Sequence, residues 1–127
     1  MLETDVRVTK DGVVIVCHDA DFNRLCGDPR KVCDVNYADL PKFKKLMPMH
    51  FSALNIDCEF QNYERKPKDQ DSFSTLEQVF QQIHPEVPIN LEIKDRDKEA
   101  ALKVMKLIEK YNRFDTTIIG YETGPVN

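Results

Sequence analysis

The sequence predicts an α/β fold in which helices alternate with parallel strands. The run Val13–Cys17 is apolar and largely β-branched, with no polar face, which is typical of a strand covered on both sides. Between Phe73 and Ile119, helical and strand periodicities follow one another in the order α, β, α, β. Because parallel strands are usually joined by helical crossovers, this order indicates a parallel sheet.

A β-hairpin is predicted at the start of the chain. Residues 2–9 alternate between polar and apolar types, as a half-buried strand does. The dipeptide Asp11-Gly12 is a strong turn signal. Val13–Cys17 is then the returning strand, and it ends at His18-Asp19.

Residues 20–72 are predicted to form a long irregular insertion. Turn-forming residues are frequent at 27–31, and one helical turn is expected at Tyr37–Pro41. Residues 64–71 predict a charged, proline-containing loop that offers nothing to a core. No internal repeat is visible in the sequence.

Two helices and two strands are predicted after the insertion. A capping box between Ser74 and Glu77 starts the first helix, and the strand Ile89–Lys94 follows it. A second helix is predicted at about 98–112, before the strand Thr116–Ile119. The apolar positions on the two helices are Leu76, Val79, Phe80 and Ile83 on the first, and Ala101, Val104, Met105, Ile108 and Tyr111 on the second.

Size and charge restrict the function classes. A chain of 127 residues is long enough for one domain with a real core, which we predict over residues 1–127. The net charge of −4 argues against a nucleic-acid partner, whose surface would attract a basic protein. No apolar run approaches the roughly 20 residues that span a bilayer.

Cysteine usage predicts the redox compartment. The cysteines are Cys17, Cys26, Cys33 and Cys58. Their spacing matches no zinc-site pattern, and free thiols are therefore expected. No secretory signal is recognisable at the first residues of the sequence. We expect a reducing compartment, either the cytoplasm or the cytoplasmic face of a membrane.

Charged side chains are predicted to share one face of the sheet. Glu3 and Asp5 lie two positions apart on one strand, and Glu92 and Lys94 repeat this spacing on another. Because strand ends line the ligand site of parallel α/β folds, His18 could converge with them there. Clustered carboxylates repel one another, and a hard cation such as Ca²⁺ or Mg²⁺ would relieve that repulsion. A metal, a lysine and a histidine together suit phosphodiester hydrolysis.

Spacing alone also allows purely structural interpretations. Glu3 and Asp5 would suit a solvated strand face. Glu92 and Lys94 would suit a surface ion pair, and His18-Asp19 an ordinary turn. The order of the motifs along the chain carries more information than any one of them.

Taken in order, the motifs resemble the glycerophosphodiester phosphodiesterase family. Leu2–Val6, Thr9–Gly12 and Val14–Asp19 are similar to the Glu-x-Asp strand, the Thr-Lys-Asp-Gly turn and the His-Asp segment of that family. Further matches in the family's order are Asn23-Arg24, Ser74–Glu77 and Asn90–Lys94. The section around Leu40-Pro41 looks more like the animal lysophospholipase D branch than the bacterial enzymes.

The resemblance implies a TIM-type barrel that hydrolyses glycerophosphodiesters, or lysophospholipids in the animal branch, with a divalent metal. By matching positions, Glu3, Asp5 and Glu92 would be metal ligands. His18 would be one of two catalytic histidines and would act as the acid for the leaving alcohol. Lys94 would be a further catalytic residue, in addition to the histidines, and would lie near the phosphate.

The sequence departs from the family pattern in two respects. A complete (β/α)₈ barrel needs about 250 residues, about twice the length of this sequence. The family's His-Arg-Gly strand and Glu-Asn segment, which precede its Glu-x-Asp strand, do not occur in it. His50 and His84, expected in a loop and at a helix end, offer no substitute. We therefore expect an incomplete (β/α) barrel without the first strand and the C-terminal half, and with weak metal binding and little turnover.

Two other functions stay open from the sequence. A truncated isoform acting as a non-catalytic binding or regulatory module would fit the absent histidine. A sphingomyelinase D-like phospholipase would share the barrel, although the Thr-Lys-Asp-Gly and Leu-Glu-Ile-Lys motifs favour the phosphodiesterase. The resemblance also leaves open a membrane association of the full-length parent through segments outside this sequence.

Overall fold

The computed structural model describes residues 1–48 and 62–121, and the elements in these ranges alternate along the chain as an α/β protein. The strands are β1 (Leu2–Val8), β2 (Val14–Val16), β3 (Asp21–Phe22), β4 (Asp28–Lys31), β5 (Leu46–Pro48), β6 (Asn62–Glu64), β7 (Ile89–Ile93) and β8 (Thr117–Tyr121). The α-helices are α1 (Asn23–Cys26), α2 (Leu76–Gln82) and α3 (Lys98–Lys110). Short 3₁₀ turns lie at Val32–Asp34, Tyr37–Asp39 and Phe114–Thr116.

A four-stranded sheet in the order β2-β1-β7-β8 organises the fold. β1 pairs antiparallel with β2 across the predicted hairpin and parallel with β7. β8 continues the sheet in parallel with β7. The predicted set of three parallel strands and one hairpin strand is therefore confirmed. Its register places Glu3 opposite Asn90 and Asp5 opposite Glu92.

The main core lies between this sheet and the two longer helices. Strand side chains alternate, so that Ile89, Leu91 and Ile93 of β7 are buried while Asn90 and Glu92 point to the other face. The buried members of this cluster are Val6, Val14, Leu76, Phe80, Ile89, Leu91, Ile93, Ala100, Val104 and Ile108. Full burial of one such aliphatic side chain is worth about 1.5–3 kcal/mol. The polar face of the sheet is thereby held away from the helices.

A second apolar cluster lies under the insertion. Its buried members are Ile15, Cys17, Phe22, Val32, Val35 and Phe73. Within β2, Val14 belongs to the main core and Ile15 to this second cluster. The prediction that this strand is covered on both sides is therefore confirmed. The described residues of the insertion include two antiparallel strand pairs, β3 with β4 and β5 with β6. The helical turn expected at Tyr37–Pro41 is the 3₁₀ turn Tyr37–Asp39.

The helix cap predicted at Ser74 is displaced by one residue. Thr75 is the N-cap, and its side chain and that of Gln78 form the reciprocal capping box. Ser74 cannot take this place because its carbonyl accepts a hydrogen bond from the Val16 N–H, which ties it to β2. Glu77 is thereby released to accept a hydrogen bond from the Tyr111 hydroxyl at 2.8 Å.

The inner face of α3 differs from the prediction at two positions, since the buried Ala100 was not among the predicted residues and Met105 is exposed. Ala100, Val104 and Ile108 form the buried stripe at a spacing of four residues. Met105 was expected in this stripe, but it is 39% exposed because it lies one residue, about 100°, further round the helix. No helix within the described ranges has both the length and the apolar character that a membrane crossing requires.

A buried arginine joins the end of α2 to the segment after α3. Arg113 is 1% exposed, and its guanidinium donates hydrogen bonds to the carbonyls of Ile83, Pro85 and Val87. The guanidinium also lies 5.1 Å from the centre of the Phe80 ring. Burial lowers the pKa of Arg113 from its ordinary value. These carbonyls follow the end of α2, where the helix supplies no donors of its own.

Replacing Arg113 by leucine should destabilise the fold by about 2–4 kcal/mol, because three carbonyl groups lose their donor. Arg113→Lys should recover part of this loss, since an ammonium can still donate to one or two of them. Chemical unfolding in urea, followed by circular dichroism, measures both changes.

Arg30→Leu is the matched control, because Arg30 is an exposed arginine whose pair with Asp28 lies at the surface. Its unfolding midpoint should stay near that of the unaltered chain. An Arg113→Leu midpoint as high as that of Arg30→Leu would contradict the structural role of Arg113.

Candidate active site

Three carboxylates from two neighbouring strands meet on the polar face of the sheet. One ligand oxygen each from Glu3, Asp5 and Glu92 can be chosen so that all lie within 4.8 Å of one another. The parallel pairing of β1 with β7 causes this, because Asp5 stands opposite Glu92 and Glu3 lies two positions along the same face. The predicted convergence of these three side chains is therefore present in the structure.

Lys94 lies directly against this cluster. Its Nζ is 3.0 Å from Glu92 Oε1 and 3.4 Å from Asp5 Oδ1, and its side chain is only 9% exposed. Burial disfavours the charged ammonium, but the hydrogen bond to Glu92 and the charge of Asp5 outweigh it, and the pKa of Lys94 is raised. Lys94 therefore carries its positive charge beside the carboxylates.

The donor set fits a divalent cation. Three carboxylates against one ammonium leave an excess of two negative charges in a space of a few ångströms. Carboxylate oxygens are the ligands that Ca²⁺ and Mg²⁺ prefer. Glu3, Asp5 and Glu92 could each supply one such oxygen, which leaves further coordination positions for water or a substrate oxygen.

His18 is held beside the middle of β1, next to Asp5. The Cys17 N–H donates a hydrogen bond to the Asp5 carbonyl at 3.0 Å. Arg7 Nε donates to the carbonyl of His18 at 2.9 Å, and Arg7 Nη1 is also 3.0 Å from Asp95 Oδ1. The main chain on both sides of the imidazole is thus bonded to the strand that carries two of the carboxylates. The imidazole itself is not among the ligand atoms of the carboxylate cluster.

A carboxylate adjoins the His18 ring, and an arginine holds that carboxylate. His18 Nδ1 lies 2.9 Å from Asp19 Oδ1. Arg24 donates to both oxygens of Asp19, at 2.6 Å from Nε and 3.0 Å from Nη2. Sequence reasoning treated Asp19 only as part of the His-Asp motif and gave Arg24 no role. The signals available were their nearness to His18 in the chain and the places of His18-Asp19 and Asn23-Arg24 among the family motifs.

Two thiols of the described residues, those of Cys17 and Cys26, are poor nucleophiles. Cys17, Cys26 and Cys33 are free. Burial raises the pKa of Cys17 to about 12 and, helped by the charge of Asp28, that of Cys26 to about 11. These two thiols stay protonated at neutral pH, so neither supplies the reactive thiolate. Cys58 lies outside the described residues.

The other histidines are not brought to the site by the described structure. His84 follows α2 and precedes β7, so it lies toward the amino end of that strand, away from Lys94. Its Nδ1 accepts a hydrogen bond from the Glu86 N–H at 3.4 Å. His50 lies outside the described residues, as does the tail from 122 to 127.

Comparison with known proteins decides the family. The model of the glycerophosphoryl diester phosphodiesterase family matches residues 1–123. The chain belongs to this family. The resemblance inferred from the ordered motifs is therefore confirmed.

The chain is similar to two mammalian lysophospholipases D. It is 32% identical over 126 residues to lysophospholipase D GDPD3 of Mus musculus, and this alignment covers 99% of this chain and 35% of that protein. It is also 32% identical over 120 residues to lysophospholipase D GDPD1 of Homo sapiens, covering 94% of this chain and 35% of that protein. The chain thus spans about a third of the length of these relatives.

Solved structures of family members share the fold. A glycerophosphodiester phosphodiesterase of Thermotoga maritima is 27% identical with a TM-score of 0.61, covering 95% of this chain and 40% of that one. A family structure from Silicibacter pomeroyi DSS-3 has a TM-score of 0.67 at 20% identity, covering 96% and 47%. The parallel sheet backed by α2 and α3 is therefore part of a TIM-type barrel, as the resemblance implied.

Removing a negative charge from the cluster and removing its positive charge should change the Ca²⁺ affinity of this chain in opposite directions. Asp5→Asn removes a negative ligand and should weaken binding by about tenfold or more. Lys94→Gln removes the ammonium that competes for the same carboxylates and should tighten binding several-fold. Isothermal titration with CaCl₂ at constant ionic strength measures both.

Glu99→Gln serves as the control for net charge, because Glu99 is exposed and pairs with Lys103 on α3. It should leave the Ca²⁺ affinity nearly unchanged. Equal weakening by Asp5→Asn and Glu99→Gln would mean that the cation responds to total charge and not to the cluster.

Proposed function

We propose that the domain to which this chain belongs hydrolyses a glycerophosphodiester or a lysophospholipid, with Ca²⁺ or Mg²⁺ bound by Glu3, Asp5 and Glu92. The observation that carries the proposal is the meeting of these three carboxylates beside Lys94 in a member of this family. The names of the mammalian relatives support a lysophospholipid substrate. Because the net charge of −4 repels an anionic phosphodiester, a bound cation would provide the positive charge that attracts this substrate.

The side chains of the site have separate roles in this mechanism. Glu3, Asp5 and Glu92 would hold the divalent cation, which would supply a Lewis acid to polarise the phosphoryl group. Lys94 lies beside the carboxylates and can contact a phosphate oxygen, which adds positive charge where negative charge develops. His18 donates a proton to the oxygen of the departing alcohol. Its side chain is 65% exposed, so the ring is open to a substrate at the edge of the sheet.

Without a second group that transfers protons beside His18, the same site would bind its ligands but not hydrolyse them, and would act as a binding module. The resemblance implies two catalytic histidines, and among the described residues His18 alone adjoins β1, whereas His84 follows α2. A missing acid or base typically costs about 10²–10⁴ in rate. We therefore expect the 127-residue chain to bind the cation and the substrate phosphate but to turn over slowly.

Choline release from glycerophosphocholine and from lysophosphatidylcholine tests the proposal, with Ca²⁺, with Mg²⁺ and with a chelator. The expected result is slow release that requires the cation and is lost in His18→Ala. Comparing the two substrates shows whether an acyl chain is preferred.

His84→Ala is the matched control and should keep whatever release the unaltered chain shows. Release that persists with the chelator, or that survives His18→Ala, would contradict the proposed mechanism. Ca²⁺ binding without any release from either substrate would favour the binding module.

A further inference from the structure

The main chain of His18 is fixed, but its ring would be free to turn without a further contact. The Asp5 carbonyl holds the Cys17 N–H, and Arg7 holds the His18 carbonyl. Asp95 braces Arg7 from the end of β7, since its second oxygen accepts the Val8 N–H at 2.6 Å. The imidazole is mostly exposed, so packing does not select its rotamer. Which nitrogen faces the substrate therefore depends on what the ring touches.

The carboxylate that touches the ring is itself held rigidly. Arg24 grips Asp19 through two nitrogens, one to each oxygen, and such a two-point contact fixes the plane of the carboxylate. The Asp19 side chain is only 19% exposed. Because Asp19 cannot follow a rotating imidazole, the imidazole has to adapt to Asp19.

We propose that Asp19 and Arg24 are positioning residues for His18, which orient its ring with Nδ1 toward Asp19 and leave Nε2 as the nitrogen that exchanges a proton with substrate. The inference rests on the function proposed above for its catalytic meaning, whereas the ring geometry can be tested without turnover. Asp19 is not a member of the carboxylate cluster, so the proposed role of this pair is separate from metal binding.

Ionisation of Asp19 decides which nitrogen carries the proton. The hydrogen bond from Arg24 lowers the pKa of Asp19, burial opposes this, and the contact with His18 lowers it further. Asp19 is thus a carboxylate at neutral pH and can only accept, so Nδ1 must be the donor. In the neutral imidazole the proton then lies on Nδ1 and the lone pair on Nε2.

The proton balance of the step follows from this arrangement. The imidazolium form of His18 carries protons on both nitrogens. As the oxygen of an attacking water bonds to phosphorus and releases a proton to solvent, the bond between phosphorus and the departing oxygen breaks, and the Nε2 proton passes to that oxygen. The ring is left neutral with its Nδ1 proton still donated to Asp19.

The charged groups that face this segment are Asp19, Arg24 on α1, Arg7 on β1, and Asp95 behind Arg7.

Nuclear magnetic resonance of the ring nitrogens in the ¹⁵N-histidine-labelled chain tests the proposal. A free imidazole favours the tautomer protonated at Nε2, so the opposite tautomer is a signature of the Asp19 contact. At a pH above the titration of the imidazole, His18 should be protonated at Nδ1. A His18 protonated at Nε2 in the unaltered chain would overturn the proposal, and this measurement needs no variant that must fold.

Substitutions then separate the two positioning residues. Asp19→Ala should return His18 to the Nε2-protonated tautomer, and Asp19→Asn should retain part of the Nδ1 form, because its amide oxygen still accepts. Arg24→Gln should lower the population of the Nδ1 form without abolishing it. An unchanged tautomer in Asp19→Ala would overturn the role of Asp19, and an unchanged population in Arg24→Gln that of Arg24.

His84 provides an internal control in the same spectra, since it follows α2 and should keep its signals in every variant. The Ca²⁺ affinity should also stay within about twofold in Asp19→Ala. A large loss of affinity would show that Asp19 acts through the carboxylate cluster and would contradict a role specific to His18. Failure of the proposed function would appear differently, as a correct tautomer without choline release.

Discussion

The parallel pairing of β1 with β7 is the constraint on which the site depends. This register sets Asp5 opposite Glu92 and brings Glu3 into the same small space. Three carboxylates so close would repel one another strongly if all were ionised with no positive charge nearby. Lys94, two positions beyond Glu92 on the same face, supplies the charge that offsets part of this repulsion. The remaining negative excess is what makes the cluster a receptor for a divalent cation.

Apolar contacts on the other side of the same strands stabilise the sheet that carries this polar face. Val6 lies between Asp5 and Arg7 in the sequence but points into the core with Leu91 and Ile93. The hairpin strand β2 then joins the two apolar clusters through Val14 and Ile15, and the residues after it bring His18 alongside Asp5 of β1. Strand alternation thus separates stability from chemistry residue by residue.

The strand periodicity made much of the site predictable, but contacts between distant segments were not. Spacing alone placed Glu3 and Asp5 on one face of their strand and Glu92 on the same face as Lys94, and the family resemblance gave the three carboxylates their role as metal ligands. The displaced cap at Thr75 depended on a bond from Val16, which no local pattern reveals. The pair of Arg7 and Asp95 is likewise 88 residues apart in the chain. Local pattern identifies faces, whereas the pairings across the fold need the structure.

Anomalous X-ray scattering from crystals of this chain grown with Mn²⁺ tests the central claim most directly, because it locates the cation itself. The account predicts an anomalous peak about 2.0–2.6 Å from one oxygen each of Glu3, Asp5 and Glu92, as expected for a hard cation. The Lys94 ammonium should have moved away from at least one carboxylate. Peaks only elsewhere on the protein, with the three carboxylates still gathered around Lys94, would contradict the account.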